Sequence, residues 1–257
     1  MIDVEKRGAG LWIFLNRPDV LNALHPDMIA EIDQALDSVA DDTDLRAVVL
    51  SGRGRAFCAG ADMKYNESVS GQPGGNTVFV RAVCELTIRL EDFPLPVLAA
   101  INGTAVAGGL ELALGCDLIA AAQSAKLGDM HANYALFPGG GASVRLARRI
   151  GVAQAKRLMF WGDVITAPQA ADIGLVDMLF RDEELEAAID KLVSRLAEKS
   201  PLVLRRTKSA INRAGELNTR LALEWERDIN ELHSHSADRS EGLLAFKEKR
   251  PPNFTGR

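Results

Sequence analysis

Residues 101–117, INGTAVAGGLELALGCD, decide how this chain is to be read. Turn formers at Asn102 and Gly103 lead to a glycine pair, Gly108–Gly109, and then to a short apolar segment with helical character. Inside it stands Glu111, the only charged residue between Asp92 and Asp117. An isolated carboxylate is expensive to bury unless it is paired or its pKa rises. From the local pattern, Glu111 is either a solvent-facing or arginine-paired residue, or a working acid–base group. The glycines favour the second reading. They let backbone amides approach a ligand closely, and a helix start leaves N–H groups free. A donor-rich turn three residues ahead of a carboxylate is how an oxyanion site with an adjacent acid or base would be built.

Outward from this stretch, VLAAING (97–103) and DLIAAA (117–122) scarcely alternate and read as strands buried on both faces. LWIFLN (11–16) and AVVLSG (47–52) are two more, and GLVDMLF (174–180) is a candidate fifth. Between the first two, PDMIAEIDQALDSVA (26–40) sets Ile29, Ile32, Leu36 and Val39 on one helical face behind Pro26. GQPGG (71–75) is a loop before a helix spanning roughly Val78 to Asp92. From Asp182 onward the apolar spacing is helical throughout, divided at Pro201, Gly215 and near Ser236. The expectation is an α/β core over 1–181 and a helical C-terminal region over 182–257.

Of 257 residues, 47% are hydrophobic and 25% charged, the make-up of a globular chain, with a net charge of −5. Acid and base are mixed along the chain, so no nucleic-acid partner is expected. Cys58, Cys84 and Cys116 form no CxxC and no cluster with histidines. No metal site is expected, and an odd, sparse count fits a reducing compartment. The first residues lack the charged-then-apolar layout of a signal peptide, which makes the cytoplasm the expected location. Prolines, glycines, Glu111 and Asp117 interrupt the apolar region around 94–122, so no membrane span is expected.

Two further glycine-rich turns carry chemistry-bearing residues. GRGRAFCAGADMK (52–64) places Ala59, Gly60 and Ala61 where their own amides stay accessible, yet it matches neither GxGxxG nor a P-loop. Alone it reads as a turn. KLGDMHANYALFPGGGASVRL (126–146) holds His131, one of four histidines, ahead of Pro138 and three glycines where a helix begins. His131 is either a hydrogen-bonded loop residue or an acid–base group near neutrality, with Asp129 placed to orient it.

Taken together these stretches resemble the enoyl-CoA hydratase/isomerase (crotonase) family. The resemblance is carried by LNRPDVLNAL (15–24), RAFCAGADMK (55–64), INGTAVAGGLELALGCD (101–117), FPGGGASVRLARRIG (137–151) and EGLLAFKEKRPPNF (241–254). It implies an α/β, crotonase-like spiral of strand–strand–helix turns with a C-terminal helical region serving oligomerisation and CoA contact. It also implies a homotrimer or a dimer of trimers acting on an acyl-CoA thioester, as in fatty acid metabolism. No separate cofactor is implied, because coenzyme A is part of the substrate.

Position by position, the resemblance gives the oxyanion hole to the backbone N–H groups of Ala61 and Gly108. Such a preorganised donor is typically worth roughly 10²–10³ in rate. CoA contacts fall to Ala59, Asp62, Met63 and Lys64, and from the tail to Phe246 and Lys249. By its surroundings alone, Lys249 is a solvated charge. Met63, Tyr134, Phe137 and Trp161 are expected to shape the acyl pocket. Glu111 matches the first catalytic glutamate of the family's hydratases, and the position of their second is occupied by His131. The implied reaction is addition of water to a 2-enoyl-CoA through an oxyanion-stabilised enolate. The alternatives are double-bond isomerisation, hydrolysis or decarboxylation of an acyl-CoA, or a relative that binds CoA esters without chemistry.

Overall fold

The computed structural model describes residues 1–40 and 42–257. Two strands, β1 (Ile2–Arg7) and β2 (Gly10–Leu15), form an opening hairpin before α1 (Pro26–Asp37). The chain then repeats a unit in which one strand joins a large sheet, the next joins a small sheet, and a helix returns. The first unit is β3 (Ala47–Gly52), β4 (Ala56–Cys58), α2 (Met63–Val69) and α3 (Gly75–Asp92). The second is β5 (Val97–Ile101), β6 (Thr104–Val106) and α4 (Gly108–Leu114). The third is β7 (Leu118–Ala122), β8 (Lys126–Gly128), a 3-10 turn at His131–Tyr134, α5 (Ala142–Ile150) and α6 (Val152–Trp161). Then follow β9 (Val164–Thr166), α7 (Ala167–Asp172) and β10 (Met178–Phe180).

The large sheet runs β1-β2-β3-β5-β7-β10, parallel except at the β1–β2 hairpin. The small sheet runs β4-β6-β8-β9, with only β8–β9 antiparallel. This is the expected α/β spiral of strand–strand–helix turns. β2, β3 and β5 are buried along their whole length, in keeping with their unbroken apolar runs. Trp12, Phe14 and Phe57 are the largest fully buried side chains.

All seven residues of α4 are buried, which puts the decisive segment at the centre of the core. Gly109 makes this possible: a Cβ there would lie 2.1 Å from the Cys58 carbonyl oxygen, so α4 rests directly on the backbone of β4. The segment at 174–180 is shorter as a strand than its composition suggests. The amides of Leu175 and Val176 donate back to Ala170 O and close α7, leaving only Met178–Phe180 to pair with β7. β1 went unread because IDVEKR is an edge strand with partly exposed, mostly charged positions.

The C-terminal helices are α8 (Leu185–Ala197), α9 (Pro201–Ala214), α10 (Thr219–Ser234) and α11 (Ala237–Glu248). Leu185, Ile189 and Val193 bury α8 in the main core, and the Trp12 indole N–H donates to Asp190. Neither α9 nor α10 carries a fully buried residue, and Ile211, Leu223 and Leu232 face outward. Lys208 anchors α9 to the core through Asp117 (2.7 Å) and the carbonyls of Leu90 and Leu95. Among the described residues, no helix is long and apolar enough to cross a membrane.

Candidate active site

A short parallel bridge between Leu24 and Ala61 sets the first wall of the site. Leu24 donates to Gly60 O at 2.7 Å and accepts from the Asp62 amide at 2.9 Å. Ala61 is the skipped residue of that pairing, and its own N–H has no hydrogen-bond acceptor among the described residues. The second wall is the entry to α4. Ala107 takes φ 49° and ψ −122°, a conformation unusual for a residue with a side chain and of the kind stored at functional sites. Beyond it, Gly108 begins the helix, where an N–H has no partner within the helix. A Cβ on Gly108 would stand 3.6 Å from the Ala61 amide nitrogen, so the two free N–H groups are close neighbours. Both residues line one cavity of about 390 Å³.

Glu111 lines the same cavity at only 3% exposure. Its Oε1 accepts from the amides of Gly140 (2.7 Å) and Ala142 (3.2 Å), the latter opening α5. Its Oε2 has no hydrogen-bond partner among the described residues and is the oxygen left for the cavity. The turn that donates to Oε1 is pinned from behind. Gly140 O accepts from Thr87 and from Arg145, and Arg145 is in turn held by Glu91 at 2.6 Å. Burial pushes the Glu111 carboxyl above its ordinary range. The Ala142 and Gly140 amides and the charge of His131 offset part of that rise, and Asp129 adds to it.

His131 opens the 3-10 turn and also lines the cavity. Its Nδ1 lies 3.1 Å from both carboxylate oxygens of Asp129, which is 1% exposed. Burial disfavours the charged ring, but the Asp129 hydrogen bond and charge, with Glu111 adding, leave its pKa above the usual histidine value.

The cavity therefore brings together Ala59, Ala61, Met63, Gly108, Glu111 and His131, with Tyr134 and Phe137 at its rim. It does not gather every expected residue. Asp62 caps α2, accepting from the Lys64 and Tyr65 amides on Oδ1 and from Arg17 on Oδ2 at 2.7 Å. Lys64 is exposed, outside the cavity lining. Phe246 is 86% exposed on α11, and Lys249 ends that helix at φ 53°; neither reaches the cavity of its own chain. The expectation that Trp161 shapes the pocket is corrected: it sits at the end of α6, 67% exposed and outside the lining. The amides that hold Glu111 were missed, although the PGGG run marked a turn where N–H groups lie open.

A family model described as enoyl-CoA hydratase/isomerase matches residues 6–257. The crotonyl-CoA hydratase of Syntrophomonas wolfei is 36% identical over 255 residues, covering 98% of this chain and 97% of that protein. The 2,3-dehydroadipyl-CoA hydratase of Escherichia coli K12 is also 36% identical, covering 99% and 98%. Among solved structures, an enoyl-CoA hydratase from Bacillus anthracis superposes with a TM-score of 0.94 at 36% identity, covering 100% of this chain and 99% of that one. Matched by that family model over nearly its whole length and by relatives at 36% identity from end to end, the chain belongs to the enoyl-CoA hydratase/isomerase family.

Proposed function

We propose that the cavity hydrates a 2-enoyl-CoA thioester to the 3-hydroxyacyl-CoA, as an enoyl-CoA hydratase of this family. The supporting observation is that Ala61 and Gly108, with their two free N–H groups, Glu111, with its unpaired Oε2, and His131 all line one cavity. The Ala61 and Gly108 amides hold the thioester oxygen and strengthen as it gains enolate charge. Glu111 is the principal acid–base group: its Oε2 takes a proton from water while the water oxygen bonds to C3. The electrons of the C2–C3 double bond move toward the thioester oxygen. A proton from His131 then reaches C2 as the enolate collapses, and the proton left on Glu111 returns to His131. Water is consumed, no redox step is involved, and no cofactor beyond the CoA of the substrate is assigned.

Ala59 and Met63 lie in the cavity wall, which supports their contact with the CoA part of the substrate. The exposed Phe246, with Ile211, Leu223 and Leu232 on the neighbouring helices, supports assembly as a homotrimer or a dimer of trimers. In that assembly Phe246 and Lys249 would serve a neighbouring subunit's CoA. Three free cysteines, two of them buried, support a reducing, cytoplasmic setting.

The test is to add the protein to crotonyl-CoA and follow the conjugated enoyl-thioester absorbance. Rapid loss with 3-hydroxybutyryl-CoA as product is expected. Tight binding of 2-enoyl-CoA esters of several chain lengths with no loss of absorbance would overturn the reading.

A further inference from the structure

Asp129 is a buried carboxylate beside the cavity that does not line it, and unlike Asp62 it meets no arginine among the described residues. It follows β8 directly, and its only hydrogen-bond partners among the described residues belong to His131. Both carboxylate oxygens face Nδ1 at 3.1 Å, and Oδ1 also accepts the His131 backbone N–H at 3.2 Å. We infer that Asp129 is the positioning residue that makes His131 the acid of the site, by fixing a proton on Nδ1 and turning Nε2 toward the cavity. The inference rests on the hydratase reading for its reaction, but not for its geometry.

A carboxylate against Nδ1 can only be met by an N–H there. In the neutral ring, Nε2 is then a bare acceptor; in the charged ring it carries the second N–H, aimed at the substrate. A buried carboxylate with no cation beside it is costly, and protonating the ring removes that cost. The groups facing His131 are Asp129 from its own turn and Glu111 from α4. The helix α6, packed on the turn, brings only Lys156 and Arg157, both exposed, and Asp163 beyond it is exposed too.

The consequence concerns how the two protons are divided. Two carboxylates facing one space repel, which raises the pKa of one of them and makes it the acid of the pair. Here the two groups are unlike, a ring held by Asp129 on Nδ1 and a carboxylate held by two amides on Oε1, so the geometry divides the roles between them. Glu111 serves the water, and His131 serves C2.

The test uses Asp129→Asn, His131→Gln and the double variant, each assayed with crotonyl-CoA across pH. In the parent protein the rate is expected to fall on the basic side as His131 loses its proton. Asp129→Asn is expected to lower kcat by roughly 10²-fold with KM nearly unchanged. It should also shift that basic limb toward lower pH, because the anion holding the proton is gone. The double variant should be as slow as His131→Gln alone. Equal losses from Asp129→Asn with and without His131, or a basic limb that stays in place, would overturn the inference. Should Asp129→Asn not fold, Asp129→Glu keeps the charge while displacing it, and should lower kcat with the limb retained.

Ring-proton NMR of His131 gives an independent reading. Its titration midpoint should fall in Asp129→Asn, and an unchanged midpoint rejects the inference whatever the activity. A falling midpoint in a protein that hydrates no enoyl-CoA would instead reject the hydratase reading and leave the Asp129–His131 arrangement standing.

Discussion

The two ends of α4 each present a carboxylate, and the chain treats them in opposite ways. Asp117, just past the C-terminal end, accepts from the Val97 amide and from Lys208 Nζ, each at 2.7 Å. Glu111, in the first turn, receives only the neutral amides of Gly140 and Ala142, both on one oxygen. Burial pushes both acids upward, and at Asp117 the Lys208 charge opposes it. A cation brought in from α9 ties Asp117 to structure. Backbone donors leave Glu111 its second oxygen and with it a capacity for proton transfer. One helix thus separates a carboxylate that holds the fold from one free to react.

The sharpest way to break this contrast is Glu111→Gln, which keeps the shape and an acceptor for the two amides. Its kcat on crotonyl-CoA should drop by roughly 10²–10⁴-fold while CoA-ester binding persists. Full activity would put the chemistry elsewhere. At the other end, Asp117→Asn leaves Lys208 without its anion. The expected loss is on the order of 3 kcal/mol, or roughly 6–12 °C in Tm. The protein that remains folded should turn over normally. A large fall in kcat with unchanged Tm would erase the distinction.

Gly109→Ala attacks both ends together, because the new Cβ meets the Cys58 carbonyl rather than a yielding side chain. A cost of about 1–3 kcal/mol is expected, and displacement of α4 should lower activity as well. Thermal melts and turnover of the same sample would show whether the two effects travel together. The smallest effect is the most diagnostic. Glu111 holds its proton more tightly folded than unfolded, so its contribution to stability is full at low pH and is lost as pH rises through the folded pKa. Glu111→Gln should therefore melt higher than the parent at neutral pH, with the gap closing on acidification. Identical melting at every pH would mean that the carboxylate is not strained by burial.

Glu111 was legible because one charge in a long apolar run has no innocent place to go. Asp117, read as the start of a strand and as a break in an apolar region, was not, since Lys208 lies far along the chain and nothing local marks the pair. Asp129 and His131 were recognisable as partners two residues apart, although only the folded turn places both oxygens on Nδ1. The buried parallel strands β3, β5 and β7 followed from their unbroken apolar runs. The three-residue strands β4, β6, β8 and β9 are too short for any periodicity to register, yet they form the sheet from which α4 departs. Trp161 misled because residue type alone does not say which way an aromatic faces; at the end of α6 the ring is turned outward. The expected role of Asp62 meets a similar local demand, since its oxygens are already taken by the start of α2 and by Arg17.

The packing of α4 on β4 also bears on how such a scaffold can be altered. Glu111 is welded into the centre of the molecule, so replacing its neighbours means rebuilding the core around Cys58 and Gly109. The turn that carries His131 is different: residues 132–137 are all exposed, and apart from Asn133, which donates to Gly162 O, they can be exchanged without rebuilding the core. A laboratory selecting this chain for a new acyl-CoA reaction would find one immovable post and one interchangeable fitting. Diversity libraries belong on the second, with the first left alone.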